Sequence, residues 1–237
     1  MGVGRGLHFL LSVVLVLLVL LVPQIQAQPG QSASSASSSS VPQGRKSPPA
    51  AASRLDAGSV TQGIYRNPTF GFSCKTPAGW VLRTEEMNAA PEAGDVAGAK
   101  SKTNVGSTGR VLLAAFSRPP EAHGEDVNSS ILIAAESAAT YPGLKEAAQY
   151  LGPVNEIAKA QGFEVVNQPY EFVVGAKTVV REDFQKDIAS RVMLQSTLVV
   201  LARGYALSFT FIGGTEDEIE ESIEGLSFAA GPKAHQH

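Results

Sequence analysis

The sequence predicts an α+β domain built on an antiparallel sheet. Three observations lead there. From residue 163 onward, apolar and polar residues alternate in runs separated by two-residue turn signals, the pattern of hairpin-connected strands. Upstream, Val111–Phe116 and Ile131–Ala135 are continuous apolar runs of strand length, as for strands buried on both faces. One segment before the alternating region and one after it carry apolar residues at helical spacing instead.

The elements follow in order. Ile64–Asn67 is a short extended segment closed by the Asn67-Pro68 turn. Phe70, Phe72 and Cys74 alternate with Gly71, Ser73 and Lys75, until Pro77-Ala78-Gly79 breaks the strand before Trp80. Val81–Met87 fits a short strand or a short helix. Residues 88–110 hold no aromatic, Leu or Ile and read as a long mobile loop. Gly143–Gln161 is helical: Leu144, Ala147, Ala148 and Leu151 form a stripe that Val154, Ile157 and Ala158 continue. Gly152-Pro153 kinks or splits that helix, and Gly162 caps it. Phe163–Val166 and Tyr170–Val174 are two brief strands. Thr178–Phe184 is polar on both faces, which places it near an edge or a cleft. Val192, Leu194, Leu198 and Val200 share one face of the next strand. Arg203-Gly204 turns into Tyr205–Ile212, where Tyr205, Leu207, Phe209 and Phe211 share a face. Thr215 and Glu218 have capping-box spacing, and Ile219, Ile223 and Leu226 give the last helix one apolar stripe.

The rest of the chain is organised around this domain. Of 237 residues, Leu7–Val22 is an apolar run interrupted only by His8 and Ser12, preceded by Arg5 and followed by Pro23 and a small residue at Ala27. Residues 1–27 therefore read as a signal peptide cleaved near Ala27, with a retained N-terminal membrane anchor as the alternative. Residues 28–57 hold nine Ser and four Pro and no aromatic, so they form a disordered tether. The folded unit is expected over residues 58–230, with a loose tail over 231–237.

Composition and motifs exclude several chemistries. Nineteen basic against 22 acidic residues give a net charge of −3, without the basic excess of a general nucleic-acid binder. One Cys cannot make an intramolecular disulfide or a multi-Cys zinc site. Of four His, one is in the signal segment and two in the tail, leaving His123 in a polar loop. No nucleophile elbow and no phosphate loop occur in the domain. No catalytic residue, metal ligand or cofactor is expected. Cys74 reads as a buried small hydrophobe, and the acids of the last helix as a solvated face. Asn128-Ser129-Ser130 matches a glycosylation sequon. The candidate binding surface combines Lys177, Arg181 and Asp183 on the polar strand with Lys100, Lys102 and Arg110 of the loop. The same strand charges also suit a salt-bridged edge.

One stretch carries a family resemblance. Tyr65-Arg66-Asn67-Pro68-Thr69-Phe70-Gly71-Phe72, followed by Pro77-Ala78-Gly79-Trp80, resembles the opening of the PsbP/Mog-like superfamily. Val179–Phe184, the strand Gly204–Phe211, the acidic helix and Leu226-Ser227-Phe228 continue the likeness across residues 63–228. It implies an antiparallel sheet flanked by helices on both sides, an α/β/α sandwich, and membership among mostly non-enzymatic proteins. The matching motifs are structural, so no ligand residues carry over. The expected function is an exported, non-catalytic protein-binding or scaffold domain, touching the membrane only through its export signal. An envelope or secretion chaperone holding an apolar client segment is the alternative, with a carboxylate-based hydrolase behind it.

Overall fold

The structure is a computed structural model and describes residues 55–89, 109–122, 124 and 126–229. The signal segment, most of the tether, Lys100, Lys102, His123 and the tail lie outside the described residues. Strands β1 (Ser59–Thr61), β2 (Ile64–Asn67), β3 (Phe72–Lys75) and β11 (Leu226–Phe228) form a four-stranded antiparallel sheet in the order β1-β2-β3-β11. The second sheet has seven strands: β4 (Val81–Leu82), β5 (Gly109–Phe116), β6 (Ser130–Ser137), β7 (Glu164–Val174), β8 (Lys177–Ile188), β9 (Arg191–Ala202) and β10 (Tyr205–Gly213). Their order is β4-β5-β6-β10-β9-β8-β7, and every neighbouring pair is antiparallel. Among the described residues, three α-helices complete the fold: α1 (Thr84–Ala89), α2 (Ala147–Ala160) and α3 (Glu216–Glu224). The class is α+β.

Strand alternation divides the core in two. Leu207, Phe209 and Phe211 of β10 join Ile131, Ile133, Leu113, Leu198 and Cys74 in one apolar cluster, to which α3 adds Ile219 and Ile223. Ala206 and Ile212 of β10 join Leu132, Val199 and Phe184 in a second, with Tyr150, Leu151, Val154 and Ile157 of α2. The period of two in the strands thus feeds two layers from one sheet.

Several boundaries differ from the sequence expectation. The folded part reaches back to Leu55, which packs against the first cluster. The Asn67 amide donates to the Asp56 carbonyl at 3.0 Å, and the Tyr65 hydroxyl to the Ala57 carbonyl at 2.9 Å. Residues 55–57 therefore belong to the domain rather than to the tether. Val81–Met87 is both strand and helix in succession, β4 then α1. The expected 88–110 loop is shorter at both ends: Asn88 and Ala89 belong to α1 and Gly109–Arg110 to β5, where the Asn88 side-chain amide pairs with the Val111 backbone in both directions, at 2.9 and 3.1 Å, and residues 90–108 lie outside the described residues. Helix α2 starts only at Ala147 and runs through Pro153 unbroken. The two brief strands around Asn167 are one strand, β7, with register shifts between Val165 and Asn167 and between Asn167 and Tyr170.

Candidate functional site

Beside α3, β7, β8 and β9 leave a cleft of about 390 Å³, lined by Tyr170, Phe172, Arg181, Asp183, Ser196 and Glu220 among others. Arg181 and Asp183 are two apart on β8, so their side chains share a face. Register brings Leu198 and Ser196 of β9 beside them and Tyr170 and Asn167 of β7 on the other side. The β7 irregularity matters here. Asn167 and Tyr170 are three positions apart, against two for their partners Asp183 and Arg181. In a regular strand, positions three apart point to opposite faces; the bulge returns both to the cleft face.

The polar groups are tightly bonded. The Asp183 carboxylate accepts from Arg181 Nε at 2.7 Å, Tyr170 Oη at 2.9 Å and Asn167 Nδ2 at 3.1 Å, and also from the Ser196 hydroxyl. Arg181 Nη2 donates to Ser196 Oγ at 3.0 Å and pairs with Glu220 Oε1 of α3 at 2.7 Å. The Arg181 guanidinium lies over the Phe172 ring, 4.9 Å from its centroid. Arg181 and Asp183 side chains are only 9% and 12% exposed, so this is a largely desolvated pair in which both Asp183 oxygens are engaged by donors.

Titration follows that environment. Burial pushes the Asp183 carboxyl up, but the donors from Ser196, Arg181 and Tyr170 outweigh it and hold it below the ordinary carboxylate value. Burial, then the bond to Asp183, pushes the Tyr170 hydroxyl up to about 12, so it remains a donor. Asp183 is an ionised acceptor already engaged by four donors. Elsewhere, Cys74 is fully buried on β3 and burial pushes its thiol up to about 12. The one carboxyl raised to about 7, Glu136, is sealed inside the sheet rather than placed in the cleft. Among the described residues, no group of three His, Cys, Asp or Glu is arranged to hold a metal ion.

Of the residues singled out in the sequence, Arg181 and Asp183 line the cleft. Lys177 is exposed at the start of β8, roughly 13 Å along the strand from Arg181. Arg110 is on β5, four strands from β8 and so roughly 19 Å away. The structure does not bring these two to the cleft. The charged strand is not the edge of the sheet; β7 is. Tyr170, Asn167, Ser196, Glu216 and Glu220 also line the cleft, beyond the residues that the sequence singles out. The sequence places Glu216 and Glu220 on a solvated face; their spacing of four instead puts both on the cleft side of α3. That spacing was the signal available for them.

No family model matches the chain, and no curated protein matches it. Among solved structures, it is similar to a cyanobacterial PsbP (CyanoP) from Synechocystis, at 17% identity, a TM-score of 0.39, and 70% of this chain against 91% of that one. It is similar to the Saccharomyces cerevisiae Ran-binding protein Mog1p at 10% identity, a TM-score of 0.38, and 67% of this chain against 90% of that one. LpqN of Mycobacterium tuberculosis, described as involved in cell envelope biogenesis, aligns at 11% identity, a TM-score of 0.34, and 67% against 83%. The first two bear the names of the superfamily that the Tyr65–Trp80 stretch resembles.

Proposed function

We propose that this chain is an exported, non-catalytic protein-binding domain, and that the cleft between β7–β9 and α3 is where it holds its partner. One observation carries the reading: a nearly buried Arg181–Asp183 pair, oriented by Tyr170, Asn167 and Ser196, lines a cleft instead of being sealed under α3. A rigid, pre-bonded polar set recognises a ligand at little ordering cost. It suits binding better than catalysis, because Asp183 has no lone pair left to act as a base and Cys74 is out of reach. The separate α2 and α3 clusters support the α/β/α layering of the sheet. Export rests on the Leu7–Val22 run and Ala27, and the Ser-rich segment up to residue 54 would tether the domain that begins near Leu55. Among the described residues no helix is long and apolar enough to cross a membrane.

The chaperone reading has one observation in its favour. Val166 lines the cleft at 51% exposure, and Val192, two residues before Leu194 on the same face, is 42% exposed. An apolar client segment could cover both.

Site-specific photo-crosslinking tests the binding reading. A benzoylphenylalanine at Tyr170 or at Glu220 is expected to trap a protein in the native exported fraction. The same group at Glu156, on the exposed side of α2, is expected to trap nothing. Crosslinks confined to Glu156, or none from the cleft, would refute the reading.

A further inference from the structure

We propose that the cleft takes a basic peptide, with a lysine or arginine side chain lodged against Glu216 and Glu220 while a carbonyl oxygen of the same segment accepts from Arg181. This rests on the reading of the cleft as the partner site.

Arg181 supplies the first reason. Its side chain is nine-tenths buried, with Nε on Asp183 and Nη2 shared by Ser196 and Glu220. Nη1 bonds no described residue and is not among the polar atoms sealed from solvent, so it is the part of this cleft-lining guanidinium left open to an incoming ligand. The guanidinium is held by stacking on Phe172 and by its fork on Asp183, so it cannot turn to find one. A fixed donor with no protein acceptor is a ready partner for an incoming oxygen.

Charge supplies the second. The lining carries one cation, Arg181, against three carboxylates, Asp183, Glu216 and Glu220. Arg181 and Asp183 cancel. Glu220 touches Arg181 from the rim and is half-exposed, and Glu216 makes no ion pair among the described residues. Helix α3 adds Asp217, Glu218, Glu221 and Glu224 and has no Lys or Arg. The two wall glutamates lie four apart and repel one another, a strain that a cation between them relieves. A carboxylate or phosphate on Nη1 would meet three carboxylates at close range. A neutral carbonyl there, with a cation a few ångströms on, finds a complement at both ends. A peptide carries both groups on one residue. Val166, Leu194 and Phe172 offer apolar surface for the stem of the side chain and its neighbours.

The test is fluorescence anisotropy of labelled Gly-Leu-Lys-Leu-Lys-Gly, with Glu and Gln replacing Lys as controls, titrated with the full chain at about 50 and about 300 mM salt. Only the lysine peptide is expected to saturate, more weakly at the higher salt. The double variant Glu216→Gln/Glu220→Gln is expected to lower its affinity about tenfold or more. Glu221→Gln/Glu224→Gln, with the same change in net charge away from the cleft, is expected to change it less than about twofold. Equal loss in both double variants, equal binding of the glutamine peptide, full displacement by an equal concentration of spermidine, or no saturation would each overturn the proposal. If the lysine peptide fails while Tyr170 still crosslinks a partner, the cleft remains the site and its ligand is not basic. If both fail, both readings fall.

Discussion

At the scale of single residues, two positions carry more than their share. Glu136 of β6 is fully buried; its Oε2 accepts from Tyr141 at 2.7 Å and Tyr150 at 2.9 Å, and Oε1 has no partner among the described residues. Burial outweighs the two phenols and pushes the carboxyl from 4.5 up to about 7. Raised in the folded state, it binds its proton more tightly there than when unfolded. Its contribution is therefore fully present below about pH 4.5 and lost as pH rises to about 7, by about 3 kcal/mol. Glu182, fully buried on β8 with a single bond from Asn155 Nδ2, is raised by burial and adds the same sign. Glu136→Gln keeps an acceptor for the phenols and removes the titration. Urea unfolding at pH 5 and pH 8 is expected to show a smaller loss of stability in the variant than in the parent; equal losses would place the titration elsewhere. Gly58 is the second position. It sits at φ +66°, and a Cβ there would lie 2.5 Å from the Tyr65 hydroxyl and 2.6 Å from the Arg66 carbonyl. Gly58→Ala is expected to cost about 1–3 kcal/mol and to shift the urea midpoint down without changing the slope.

Among the elements, β7 decides both the cleft and the behaviour of the sheet edge. It is eleven residues long, mostly exposed, with Val173 63% exposed, and no strand of the described residues lies on its outer side. Such an edge invites pairing with another copy. Two irregularities and Pro169 interrupt it, and the proline removes a donor where a flat strand would offer one. Pro169→Val is expected to increase self-association, seen by sedimentation velocity as concentration-dependent dimers and larger species. A strictly monomeric variant would mean that the bulges alone protect the edge. The same irregularity marks the limit of what the sequence makes legible. Tyr205–Ile212 alternates without interruption, so its pairing and burial could be read directly. Asn167-Gln168-Pro169 breaks the period, and alternation alone splits β7 in two. With the strand split, nothing indicates that Tyr170 and Asn167 both face Asp183. Arg181 and Asp183 were legible because a strand polar on both faces reads as lying near an edge or a cleft, where its charges meet partners or a ligand. Ser196 and Glu220 were not, since their approach depends on register and on where α3 settles. The cap of α3 was half legible: Thr215 Oγ1 accepts from the Glu218 amide at 3.2 Å, but Glu218 reaches Gly214 N at 2.8 Å instead of closing the box on Thr215.

For the whole molecule, the shared sheet makes the two clusters one cooperative unit. Strands β5, β6, β8, β9 and β10 each contribute to both, so neither layer can be lost while the other keeps its floor. The four-stranded sheet is the element with most freedom to leave first. It is joined to the large sheet by side-chain packing, notably Phe72 against Phe209, 5.0 Å between ring centroids at 81°, and among the described residues no strand pair bridges the two sheets. The molecule carries its own probes of that step. Cys74 lies in the small sheet with its thiol buried and raised, and Trp80, the only tryptophan, packs against the same cluster. If burial of Phe72, Cys74 and Tyr65 ties the small sheet to the large one as tightly as their near-zero exposure implies, both probes report global unfolding. Tryptophan fluorescence, far-UV circular dichroism and the extent of Cys74 labelling by a disulfide reagent are then expected to share one urea midpoint. A fluorescence and labelling midpoint clearly below that of circular dichroism would show the small sheet peeling away first. The cleft would then be carried by β7–β9 and α3 alone, and a partner bound there would raise the later midpoint and leave the earlier one where it was.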